Sequence, residues 1–122
     1  MPVETDLERL NKRLDQPLPD LSSLRASDDA SAAVQKTPNR VTLDGMLAKI
    51  VDTEFINPAS IPHMTICVLL MKNGFAVVGK SAPADGNNFD EELGRKFSKE
   101  DALRQLWAFE GYALREKLSS AG

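Results

Sequence analysis

The chain has 122 residues, 42% hydrophobic and 27% charged, with a formal net charge of −3 and a pI near 5.1. That length holds one small domain, and the mild acidity argues against an electrostatic nucleic-acid or membrane-surface binder. A single cysteine, Cys67, rules out an intrachain disulfide framework, and no apolar run nears the roughly 18 residues of a membrane span.

Residues 1–40 carry four of the seven prolines, no glycine and none of the Phe, Tyr or Trp side chains. Aromatic side chains supply large buried areas, so a segment without them has little to offset its ordering entropy. The expectation is a flexible, largely disordered tail over 1–40, linker-like from Leu18 to Asn39, followed by a compact α+β module over 41–122. Within the tail, Leu7, Leu10 and Leu14 recur at helical spacing. They mark a short amphipathic helix near 5–16, ended by Pro17 and Pro19 and marginal in isolation. It is read either as a fraying end or as a helix that orders on a partner through those three leucines. Met1 to Leu10 is too acidic and polar to read as a signal peptide.

The module opens with VTLDGMLAKIVDTEF, which sets Leu43, Met46, Leu47, Ile50 and Val51 on one helical stripe. Thr42 is the expected N-cap, Asp44 suits the positive end of the dipole, and Asn57-Pro58 closes the helix. Next come TICVLLMK and FAVVGKSA, two strand-like runs around Asn73-Gly74, the pair favoured in a two-residue type I′ turn. That turn sets Leu70 opposite Val77 and Val68 opposite Gly79. One face then carries Ile66, Val68, Leu70, Phe75 and Val77, the other Cys67, Leu69, Met71, Ala76 and Val78. Both faces are apolar and both need cover. With only about 78 residues to build a core, a homo-oligomer formed through the hairpin or the last helix is the expected solution; the alternative is that the two helical regions grip the hairpin from both sides.

From Phe89 to Leu118 the chain reads as a long or broken C-terminal helix, with Asn88 or Asp90 as its cap. One wheel aligns Phe89, Leu93, Phe97, Leu103, Trp107, Gly111, Leu114 and Leu118, with Glu100 and Arg104 spaced to pair. Gly111 reads as a close approach or a kink.

No catalytic set emerges. His63 is the one histidine and lies before the first strand; Cys67 sits mid-strand among aliphatic residues; no second ligand pair accompanies them for a metal. The carboxylates Asp90, Glu91 and Glu92 suit a helix start. An enzyme, a metal and a cofactor are therefore not expected. The residues of most interest are Arg104, Trp107, Glu110, Tyr112 and Arg115, because guanidinium groups and aromatic planes serve both protein hot spots and nucleotide ligands. An internal salt bridge with a core tryptophan would use the same residues structurally.

The hairpin from Cys67 to Phe75, FDEELGRK from Phe89 to Lys96 and LWAFEGYALRE from Leu106 to Glu116 occur in that order. Together they resemble a family of small tailed-phage proteins named for gene product 49 of coliphage N-four and gene 66 of a Shigella phage. The similar stretch runs from about Val41 to Leu118, and Ala108 stands where members often have proline. The resemblance implies a phage or prophage origin and expression in the cytoplasm of the bacterial host. By analogy with other small phage proteins, the expected function is a non-enzymatic accessory role, binding and modulating a host protein, for instance a defence factor. The alternative is an oligomeric sponge for a nucleotide-type small ligand, with the arginines and aromatics lining a site between subunits.

Overall fold

A computed structural model describes residues 21–121; Leu7, Leu10, Leu14 and the helix expected near 5–16 lie outside them. The elements are α1 (Ser22–Ala33), α2 (Leu43–Leu47), β1 (Ile50–Ile56), β2 (Thr65–Met71), β3 (Ala76–Ser81), a 3-10 turn (Gly86–Asn88) and α3 (Glu91–Ala121). The strands form an antiparallel sheet in the order β1-β2-β3. This is the expected α+β class with a long C-terminal helix, and that helix is continuous.

Three expectations change. The linker placed between Leu18 and Asn39 contains α1, whose Leu24 enters the core. One good core side chain and two buried carboxylate anchors fix this helix despite its polar composition. Asp28 accepts hydrogen bonds from the Arg40 guanidinium (2.7 Å) and the Leu43 N–H (3.1 Å), which ties α1 to the start of α2. Ser23 donates to the buried Glu100 carboxylate on α3.

The helix expected over Val41 to Phe55 stops at Leu47 and becomes strand. Thr42 caps it as expected, accepting from the Gly45 N–H at 2.9 Å. Beyond Lys49 the β-branched and aromatic residues Ile50, Thr53, Phe55 and Ile56 pair with β2 instead, with Val51 at a bulge between Ile50 and Asp52. Leu43, Met46, Leu47 and Ile50 are buried, as the helical stripe required, although two kinds of element deliver them.

The hairpin register is shifted by one residue. Leu69 faces Val77 and Cys67 faces Gly79, because the loop has three residues, Lys72, Asn73 and Gly74. The Gly74 N–H donates to the Met71 carbonyl (2.9 Å) and the Met71 N–H to the Phe75 carbonyl (2.8 Å). Gly74 takes φ +90°, the left-handed residue of a three-residue loop. The shift moves Val77 to the face of Cys67, Leu69 and Met71, all buried. Ile66, Val68, Leu70, Ala76 and Val78 share the other face.

The three helices of the described residues lie on the first of these faces, over a core that includes Leu24, Leu43, Leu47, Ile50, Cys67, Leu69 and Leu103. Each large aliphatic side chain buried this way contributes about 1.5–3 kcal/mol. The part of α3 against the sheet is lined by small residues, Gly94, Ser98 and Ala102, all buried, while Leu93 and Phe97 of the expected stripe are 47% exposed. Small residues at i, i+4 spacing let the helix settle close to the strands. Among the described residues no helix lies on the second face of the sheet: Leu70 and Val78 are exposed there, and Ile66 and Val68 are half-buried.

Candidate functional site

α3 begins where Asp90 accepts from the Leu93 N–H (2.9 Å), and Glu91 and Glu92 complement its positive end. Of its 31 residues, the buried ones lie between Gly94 and Leu106. Along this half the helix also covers the outer edge of β3. Asp101 accepts from the Lys80 N–H and the Gln105 amide donates to the Val78 carbonyl, both at 2.9 Å. Those two contacts occupy backbone groups that would otherwise invite another strand.

Glu100 is the electrostatic centre of this half. Burial alone would raise its carboxyl, but the hydrogen bonds from Ser23 and Lys96, with the charge of Arg104, outweigh it and hold the group below its ordinary range. Lys96 lies at 3.0 Å and Arg104 at 3.6 Å, so the pairing expected of Glu100 and Arg104 is present. Asp28 follows the same logic: burial raises it, while Arg40 and the Leu43 N–H lower it further than that. Both carboxylates are consumed in holding helices together.

The sequence-selected residues divide between two sides of the helix. Trp107 is half-buried and packs against the core, and Glu110 forms an ion pair with Lys49 at 2.5 Å. Arg104, Tyr112 and Arg115 point outward on one stripe with Phe97 and Ala108, all exposed. The five do not converge on one cavity within a chain. The helix runs on through Gly111, and no neighbour approaches it: a methyl group there meets nothing within 4 Å.

Sequence reasoning missed Phe75 and Phe109. Their rings meet edge to face, 5.4 Å apart at 82°, where the hairpin loop touches α3. They border a cleft of about 480 Å³ shared with Met71 and Leu106 and rimmed by Lys49, Lys72 and Glu110. The two-residue turn put Phe75 on a packed face, which hid it; the three-residue loop brings it to the surface. His63 is half-buried with its ring beside Gly86, and Cys67 is fully buried beneath the helices. Among the described residues, no group of three His, Cys, Asp or Glu side chains is gathered for a metal ion, and no helix is long and apolar enough to cross a membrane.

Residues 41–118 match the model of a phage protein family, N4 Gp49/phage Sf6 gene 66. No curated protein and no solved structure matches the chain.

Proposed function

The chain belongs to the N4 Gp49/phage Sf6 gene 66 family of phage proteins, and we propose that it is a non-enzymatic accessory protein that binds and modulates a host protein in the bacterial cytoplasm. A defence factor is one class of target. The observation that supports this reading is the outer stripe of α3, where Arg104 stands exposed beside the last buried turn and Tyr112 and Arg115 stand exposed beyond it. Tyrosine and arginine are the residue types that dominate protein–protein hot spots, since each combines a large apolar body with a directional polar tip. A helix anchored at one end by a close-packed seam presents them on a preformed backbone, so binding has to order only their side chains.

A photo-crosslinking residue at position 112, introduced during infection, tests the proposal. It should trap one bacterial protein in defined stoichiometry, and the same residue at position 91 should not. Equal yields at both positions, or none at 112, would refute it.

The Phe75–Phe109 cleft favours a second reading, a sponge for a nucleotide-type ligand, because aromatic edges beside Lys49 and Lys72 suit a flat anion. Calorimetry against linear and cyclic nucleotides separates the two. Heat that disappears in F109A and K72A supports the sponge; its absence across the panel leaves the protein-binding proposal standing alone.

A further inference from the structure

The second face of the sheet is built in three rows. Ile66 pairs with Ile56 on one side and Lys80 on the other; Val68 pairs with Glu54 and Val78; Leu70 pairs with Asp52 and Ala76. Because facing residues in an antiparallel ladder point the same way, these nine side chains share one surface. Much of it is aliphatic, with Leu70 40%, Ile56 41% and Val78 51% exposed. Its two margins differ in sign: β1 carries Glu54 and β3 carries Lys80. Neither side chain has an ion-pair partner among the described residues.

We infer that this face docks on the same face of a second copy of the chain, in a two-fold dimer whose axis runs parallel to the strands. Sheets stack face to face at about 10 Å, with aliphatic side chains interdigitating between them. A two-fold along the strands lays β1 of one protomer over β3 of its partner. Ile66 and Val68 then meet their own counterparts at the centre, and the acidic margin lies over the basic one. The stem of Lys80 covers the partner's Ile56, the residue in its own row, and its ammonium reaches the partner's Glu54 one row away. A two-fold across the strands would instead stack β1 on β1 and bring Glu54 against Glu54. Charge therefore selects the first arrangement. Addition along the edge of β3 is already prevented, since Asp101 and Gln105 occupy its Lys80 N–H and Val78 carbonyl. The dimer leaves the outer stripe of α3 free, because the helices lie on the opposite face of the sheet.

The test is the mass of the full chain in solution, with its charge-reversal variants. Light scattering of the wild type should give twice the 13.4 kDa of one chain. E54K and K80E should each weaken association by about tenfold or more, and the double variant E54K/K80E should recover most of that loss. Circular dichroism should be unchanged in all three, as both side chains are exposed. A photo-crosslinker at position 78 should join two chains. A monomer at every concentration overturns the proposal, as does a dimer indifferent to either reversal or one that the double variant does not rescue. A link from position 78 to residues 1–20 of its own chain, or to a host protein, overturns it as well.

Discussion

Gly79 of β3 lies directly beneath the Ser98 carbonyl of α3. A methyl group on Gly79 would fall well inside van der Waals distance of that oxygen and of the Ala102 nitrogen, both of them backbone atoms that cannot swing aside. The long helix rests on the hairpin because this position has no side chain. G79A should therefore destabilise the fold by about 1–3 kcal/mol, the usual cost of overpacking. Gly111 lies in open space on the same helix, so G111A should stabilise by about 0.4–1 kcal/mol. Urea unfolding of the two variants should move the midpoint in opposite directions. A G79A protein as stable as the wild type would mean that the helix does not sit this close.

How much of this was legible in the sequence depends on which force decided each element. The β2 and β3 runs were legible because their aliphatic residues and turn dipeptide act locally. Their register was not, because Asn73-Gly74 suits both a two-residue turn and the end of a three-residue loop. β1 was hidden for a different reason. Leu43 to Ile50 satisfies helical spacing, and only pairing with β2, a long-range contact, converts Ile50–Ile56 to strand. The helix wheel failed similarly: it was anchored on the largest apolar side chains, whereas the sheet selects the small ones, Gly94, Ser98 and Ala102. Arg104, Tyr112 and Arg115 were legible as a polar set, but their separation from Trp107 and Glu110 depends on that same choice of face.

The hairpin loop yields its own prediction. Gly74 adopts φ +90° with no atom near enough to obstruct a methyl group. G74A should then cost about 1–2 kcal/mol from backbone conformation alone. G74N should recover part of the loss, since asparagine tolerates the left-handed region better. Thermal unfolding of the three proteins checks the order glycine, asparagine, alanine; an alanine variant equal to wild type would argue for a different turn.

Stability should fall in acid, and the sign follows from two carboxylates. Asp28 and Glu100 are held below their ordinary values of 3.8 and 4.5 in the folded chain, so the unfolded chain binds protons first. Their contribution is fully present above those ordinary values and is lost as pH falls through the lower folded ones. Below about pH 5 the wild type should therefore lose stability more steeply than D28N or E100Q, which have no such proton to take up. At neutral pH both variants should be less stable, since each leaves a charged partner behind. Urea midpoints measured in pH steps give the difference curve; curves that remain parallel through acid would remove these two groups from the account.

Trp107 and Tyr112 lie five residues apart on α3 and should fail in different ways. Trp107 packs on the core, so W107A should lower stability by about 1–3 kcal/mol, less than a fully buried tryptophan would cost. Tyr112 is 69% exposed, and Y112A should change stability by no more than about 0.5 kcal/mol. If the outer stripe of α3 is the contact surface for a host protein, Y112A and R115A should each reduce affinity for the crosslinked partner by about tenfold or more at unchanged stability. W107A should then affect binding only in proportion to the fraction unfolded. Denaturation curves and titrations on the same preparations separate these outcomes. Full affinity in the Y112A/R115A double variant would move the contact surface away from this stripe, and the Phe75–Phe109 cleft would be the next place on the molecule to test.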